Sequence, residues 1–492
     1  MSATETQSVP IPLPGYDRSG LTAGIMHIGV GNFHRAHQAA VIDELLEKGL
    51  ARDFAICGVG VLPGDRHMRD ILRDQDGLYL LELRHPDGRR EQRIIGSIVD
   101  YLYLPDDPEA VVEKMAGVST RIVSLTITEG GYKTDFTTNT FDAADAEVRR
   151  DLEHPEHPGT VFGLIVEALA RRRAAGRVPF TVLSCDNLPM NGEVTRNALV
   201  SFAALRDQEL ARWIDEEVAF PNSMVDRITP ATTDRDREYV RDRLGVEDAW
   251  PVAAEPFFQW VVEDSFTAGR PPFEQTDVQI VDDVAPYELM KLRLLNGSHQ
   301  ALAYFGALAG HEFVEEAMAD EDLVRFLERY MSEVLPTVPA VPGIDLREYR
   351  RVLLERFSNP AIRDTLARLC ADSSNRIPKF VVPSILENRA AGRPVEFGAA
   401  VLASWARYAI GVDESGGPIH VVDVNGAERR RAAERERSDA GAFLRDTRMF
   451  GALASDRDFV DAFHRLFISI CDDGARATYQ RLAGTSPSGE GD

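Results

Sequence analysis

Gly24-Ile25-Met26-His27-Ile28-Gly29-Val30 runs directly into Gly31-Asn32-Phe33-His34-Arg35-Ala36-His37, and a helix-like run over residues 39–48 follows. The first seven residues read as a buried strand, since apolar side chains dominate both of its faces. Strand, glycine turn and helix in that order is the context a dinucleotide-binding fingerprint requires. Gly29 allows the tight turn, Gly31 lets the backbone approach a pyrophosphate, and the helix N-terminus faces the phosphates. The pattern departs from GxGxxG at the third glycine, where His34 stands. His34 and His37 read as helix-surface or phosphate-side residues; their spacing suits a metal, but no third ligand is evident.

Outward from this stretch, residues 54–60 read as the second strand. Asp65 lies beyond its carboxyl end, where an acidic residue takes the ribose hydroxyls in NAD-binding folds. A carboxylate there repels a 2′-phosphate and favours NAD over NADP, while Arg66 beside it acts the other way. Further strands are expected at 78–83, 93–98, 121–126 and 180–185, with helices over 108–116, 161–175 and 194–218. The strand at 121–126 ends in Thr128-Glu129-Gly130-Gly131-Tyr132, a polar loop at a carboxyl end, where ligands of open α/β sheets bind. Two more polar turns follow, Asp186-Asn187-Leu188-Pro189-Met190-Asn191-Gly192 and the loop from Phe220 through Asp226 to Pro230. Residues 145–158 read as a proline-broken surface loop whose His154 and His157 are solvated.

After a late strand at 278–282 the pattern turns helical, at 288–310, 322–335, 346–357, 362–371, 398–410, 440–448 and 458–472. The expected class is therefore α/β, with a Rossmann-like dinucleotide-binding domain over 1–286 and an α-helical substrate domain over 287–492. Within the first of those helices, Lys291, Asn296 and His299 share one broad face. Asn296 lies about 140° and His299 about 80° around from the lysine, spread over ~12 Å of helix. A break at Asn296-Gly297-Ser298 would bring them closer. Such a set suits proton transfer at a polarised C–O bond, with a lysine base, a neutral amide donor and a positioning histidine.

Acidic residues outnumber basic ones 79 to 55, giving a formal charge of −24, which argues against nucleic acid or an anionic membrane as the main partner. The four cysteines, Cys57, Cys185, Cys370 and Cys471, form no zinc-binding spacing, and Cys57 and Cys185 read as buried thiols. With no secretory pattern from Met1 onward and no apolar run of ~18 residues, a cytoplasmic protein is expected. His311-Glu312 lacks the second histidine of a zinc signature, so no metal is expected. The charge run at 429–437 reads as a solvated helix face, and residues 486–492 as a frayed end.

Five stretches taken together resemble the long-chain polyol-specific dehydrogenase family. They are His27 through Gln38, Ile122 through Tyr132, Ser184 through Gly192, Phe220 through Pro230, and Lys291 through His299. The resemblance implies a metal-independent, NAD-linked enzyme with its active site in an interdomain cleft and a monomeric working form. It would interconvert D-mannitol, or a hexitol or pentitol such as D-arabinitol, with the 2-ketose D-fructose or D-xylulose. It makes Lys291 the general base and Asn187 and Asn296 the amides that polarise the substrate oxygen. Asp226, His299 and Arg368 fall at polyol-holding positions, and Glu288 and Glu129 at acidic positions near the lysine. Arg376 stands where the family has a lysine. Gly29, Gly31, Asn32, Phe33, His34, Arg35 and Asp65 fall on the cofactor side. A hexuronate reductase of the same superfamily, acting on fructuronate or tagaturonate, is the alternative, with Arg368 or Arg376 for the carboxylate.

Overall fold

Ala23–Ile28 (β1) is buried at every position, as a strand covered on both faces must be. The computed structural model describes residues 11–135 and 140–484. The end expected to fray at 486–492 lies outside them, as does most of the polar stretch that follows Met1. The chain divides into two compact units, Met1–Ala285 and Pro286–Asp492.

In the first unit, β1 pairs in parallel with Ala55–Gly60 (β2), and β2 with Ile98–Tyr103 (β3). On its other side β1 pairs in parallel with Ile122–Leu125 (β4), and β4 with Thr181–Ser184 (β5). The strand order is thus β3-β2-β1-β4-β5, a Rossmann-type sheet. The chain reverses its direction of winding between β1 and β4. Loops leaving the carboxyl ends of these two strands therefore border the crevice where such sheets place ligands. Helices Pro108–Ala116, Val161–Ala174 and Asn191–Arg206 cover one face through Val112, Leu164, Leu169 and Leu199, all fully buried. Gln38–Glu47 covers the other through Ile42, Leu45 and Leu46. Each such side chain contributes about 1.5–3 kcal/mol by leaving water, which holds the strand ends in place.

Several expected elements differ. The strand expected at 93–98 is the end of one strand and the start of another: Arg90–Ile95 and Ile98–Tyr103 flank Gly96, whose amide donates to Asp43 at 2.8 Å. Residues 194–218 form two helices rather than one. Asp207 is extended and its carboxylate accepts from the amides of Glu209 and Leu210, which caps the second helix, Gln208–Glu217. The surface loop expected at 145–158 contains the helix Ala146–Glu153, capped in the same way by Asp145. The loop at Phe220 contains a strand, Ser223–Asp226, which pairs antiparallel with Gln259–Glu263. Four residues between turn signals leave too short a period to read.

The second unit is helical throughout its core. Its expected first helix is three pieces in sequence: α-helix Ala285–Met290, a π-helical turn over Lys291–Asn296, and α-helix Gly297–Leu308. The charge run lies on the helix Gly426–Glu436; Arg430, Arg431, Glu434, Arg435 and Arg437 are exposed, as a solvated face requires, but two of its charges are buried. Arg429 is 3% exposed against the Phe443 carbonyl, and Glu436 is fully buried, accepting from the amides of Gly441 and Phe443. Arg429 also pairs with Glu428 and Asp446, and His464 Nδ1 lies 3.0 Å from Glu436, so both buried charges have side-chain partners as well as backbone ones.

Candidate active site

Gly29, one residue past β1, has φ +94°, and a Cβ there would lie 2.1 Å from the Thr126 carbonyl oxygen. Only glycine fits, because both the backbone angle and the approach to the loop after β4 exclude a side chain. Gly31 is exposed, and a Cβ built on it meets no protein atom closer than 3.9 Å. Space over an exposed backbone at a strand-to-helix turn fits a diphosphate, which needs close approach rather than side chains.

The side chains of this turn face the protein. His34 is 1% exposed and stacks on His27 of β1, ring centroids 3.4 Å apart. His37 is fully buried, and its Nε2 lies 3.0 Å from the Gln259 carbonyl. Neither is the surface or phosphate-side residue expected from its polarity. His34 fills the place where a third glycine would bring helix against strand, and a stacked ring keeps the two apart. Burial pushes the His27 imidazole down to about 3 and that of His34 well below the ordinary histidine range, so both rings are neutral. Arg35 is also fully buried, donating to the Trp250 carbonyl at 2.6 Å and to Asn32 Oδ1 at 2.8 Å. Asn32 Nδ2 in turn donates to the Pro230 carbonyl at 3.1 Å, and Phe33 stacks on His37. For His34 and Arg35, then, only the backbone is available to a cofactor. Asp65 stands past the end of β2, as expected, and its Oδ2 accepts from the amides of Val61 and Leu62 at 2.8 Å each. That oxygen shapes the turn after β2.

The loops after β4 and β5 are tied together. Asp186 accepts from the amides of Ile127 at 3.1 Å and Thr128 at 2.8 Å and from the Tyr132 hydroxyl at 2.8 Å. Burial pushes its carboxyl up, against these donors. The expected loop at Thr128 is a single helical turn, Thr128–Gly131, and Glu129 sits on it. Asn187, next to Asp186, is exposed. Asn191 is fully buried and donates to the carbonyls of Asp186 at 3.0 Å and Ser223 at 2.8 Å, fixing this loop to the strand that ends in Asp226. Glu129, Asn187 and Asp226 are thus held at neighbouring strand ends by Tyr132, Asp186 and Asn191. The sequence showed those three only as motif residues, without their scaffolding role.

In the helical unit, Lys291 and His299 are each 7% exposed and Asn296 is half-buried. In a π turn the hydrogen bonds run from i to i+5, so Lys291 and Asn296 lie closer to one face than the about 140° separation of a regular α-helix. Arg293 within this turn is 5% exposed and is clamped by the Glu387 carboxylate and the Thr337 carbonyl. Gly297, after the turn, has no room for a side chain, since a Cβ would lie 2.7 Å from the Tyr330 hydroxyl. His299 packs on Phe357, ring centroids 4.4 Å apart, and Glu288 lies three residues before the lysine. Arg368 is exposed and holds Asp364 with both Nε and Nη2. Arg376 donates through Nη1 to the carbonyls of Arg368 and Leu369 at 3.0 Å each, which brings the two arginines together. Among the described residues no group of three or more His, Cys, Asp or Glu could hold a metal ion, and no helix is long and apolar enough to cross a membrane. Cys57 and Cys185 are buried thiols, as expected.

A Rossmann-type sheet with a glycine turn, joined in one chain to a helical unit bearing a buried lysine and a half-buried amide, suits an oxidoreductase. Residues 23–275 match the mannitol dehydrogenase Rossmann domain and residues 283–471 the mannitol dehydrogenase C-terminal domain. The chain belongs to the mannitol dehydrogenase family and is of polyol dehydrogenase type. It is 45% identical to a mannitol 2-dehydrogenase of Aspergillus terreus over 476 residues, 95% of each chain. It is 44% identical to mannitol dehydrogenase 2 of Saccharomyces cerevisiae over 96% of this chain and 95% of that one. Among solved structures, Pseudomonas fluorescens mannitol 2-dehydrogenase, in a ternary complex with NAD and D-mannitol, is 47% identical with a TM-score of 0.88 over 97% of both chains. A substrate-free D-sorbitol dehydrogenase is 38% identical, also with a TM-score of 0.88, over 97% of this chain and all of that one.

Proposed function

We propose that this protein is an NAD-dependent polyol 2-dehydrogenase that interconverts D-mannitol, or a related hexitol or pentitol, with the corresponding 2-ketose. The observation that supports it most is the likeness to the Pseudomonas fluorescens enzyme whose complex holds NAD and D-mannitol. The backbone from Gly29 to Phe33 receives the diphosphate and Asp65 the ribose, a carboxylate that favours NAD over NADP. When bound, NAD⁺ supplies the hydride acceptor.

Lys291 takes the proton from the C2 hydroxyl as the carbinol is oxidised, and returns it when the ketose is reduced. A lysine ordinarily titrates near ~10.4, and desolvation works against its charged form. Burial of Lys291 at 7% exposure therefore favours a base. Asn296, one π turn along, and Asn187 donate to the substrate oxygen as it gains negative charge. A neutral amide does this without competing for the proton. Asp226, His299, Arg368 and Arg376 hold the outer hydroxyls, and Glu129 and Glu288 set the charge around the lysine. No metal enters this scheme, and the working form is a monomer, which light scattering tests.

The reading is tested by following NADH oxidation with fructose, xylulose and fructuronate in parallel. Turnover with fructose or xylulose is expected. Preference for fructuronate would instead make the protein a hexuronate reductase, and tight NADH binding without turnover would remove the enzymatic reading.

A further inference from the structure

The helical unit buries a chain of polar groups that the proposed reaction does not use. Gln300, next to His299, is 2% exposed, and its Nε2 donates to the carbonyl of Leu369, next to Arg368, at 3.2 Å. One turn on, Tyr304 is fully buried; its hydroxyl donates to Gln300 Oε1 at 2.6 Å and lies 2.6 Å from Ser373 Oγ. Ser373, 1% exposed, shares its one proton between the Tyr304 hydroxyl and the Cys370 carbonyl, 2.7 Å away, and opens the helix Ser373–Phe380 that carries Arg376. That helix makes no side-chain cap from its own preceding residue, Asp372, which has φ +55°. Its start is therefore located by contacts from elsewhere, Ser373 to Tyr304 among them. Arg376 closes the circuit onto Arg368 and Leu369.

Three segments, bearing His299, Arg368 and Arg376, thus converge on one phenol. Stability alone does not explain this choice. An apolar group of the same shape in place of a hydrogen-bonded buried set is often close to neutral, whereas a satisfied buried polar network selects one arrangement over its neighbours. Apolar packing between Gly297–Leu308 and Leu366–Cys370 would tolerate small slides; the Gln300–Tyr304–Ser373 set does not.

We propose that Tyr304, acting through Gln300 and Ser373, is a positioning residue that fixes His299, Arg368 and Arg376 relative to one another for polyol recognition. This rests on the polyol dehydrogenase reading of those three residues. Tyr304→Phe keeps the ring and removes the hydroxyl. The expected result is a KM for polyol and ketose raised about tenfold, the scale of one lost oriented hydrogen bond, with kcat reduced less than threefold and NADH affinity unchanged. An unchanged KM with a lowered melting temperature would make the network merely structural and overturn the proposal, as would a loss confined to kcat. Should Tyr304→Phe fail to fold, Ser373→Ala carries the same test, with a KM rise of about threefold expected from the weaker contact; no rise in KM there overturns the proposal. Absence of polyol or ketose turnover in the wild-type control would remove the enzymatic reading and this proposal with it, whereas normal wild-type turnover with an unaltered variant KM removes this proposal alone.

Discussion

The turn from Gly29 to Arg35 and the helix from Lys291 to His299 are both legible as short motifs, yet they present chemistry in opposite ways. In the turn, Asn32, His34 and Arg35 spend their side chains on Trp250, Pro230 and His27, and what remains outward is backbone around Gly31. In the helix the backbone is locally rewound into a π turn, and the side chains of Lys291 and Asn296 are the groups to which the proposed proton transfer is assigned. A phosphate-binding turn needs amide groups and space, so its polar side chains are free to brace it. The proposed proton transfer needs two particular groups at one place, and the π turn brings their positions toward one face of the helix.

Three substitutions bear on that contrast. Lys291→Ala should lower kcat by about 10²–10⁴-fold, the usual contribution of a general base, measured as fructose-dependent NADH oxidation near neutral pH. Asn296→Ala should lose about 10²–10³-fold in kcat as an oxyanion donor; a loss in KM alone would make it a binding group and leave the π turn without a catalytic reason. Gly31→Val should leave the fold intact, since a Cβ there meets no protein atom closer than 3.9 Å, while weakening NADH binding about tenfold or more, the scale of ~1.4 kcal/mol in binding. Normal affinity in that variant would break the backbone side of the contrast.

The smallest effect concerns stability. Glu333 accepts from the amides of Phe397 at 2.9 Å and Gly398 at 2.7 Å, and burial pushes its carboxyl up to about 7. Because the folded state binds this proton more tightly than the unfolded chain does, its contribution is greatest below the unfolded pKa. It is lost as pH rises through about 7. The melting temperature should therefore fall between about pH 4.5 and pH 7, by on the order of 1–3 kcal/mol in stability. Glu333→Gln should flatten that slope, and an unaltered slope would assign it to other groups.

The parallel strands were legible because apolar runs such as Ile122 to Leu125 have one reading once they sit between turn signals. Lys291, Asn296, Asn187 and Asp226 were legible as members of a family pattern, and the fold places each at a strand end or on a helix turn beside the groups that brace it. The π turn was not, because no residue type marks it; the clamp of the exposed Glu387 on buried Arg293 and the cramped Gly297 show what holds it. His34 and His37 were misread because polarity suggests solvent, and nothing local reveals that His27, seven residues upstream, offers a stacking partner. The strand Ser223–Asp226 was hidden by its length.

The division between a cofactor-holding turn and a catalytic helix is tested most directly by titrating NADH into the Lys291→Ala protein. The account predicts wild-type NADH affinity in a protein that turns over fructose at least a hundredfold more slowly, the lower end of a general base's contribution. Wild-type turnover, or NADH binding lost together with turnover, would contradict it.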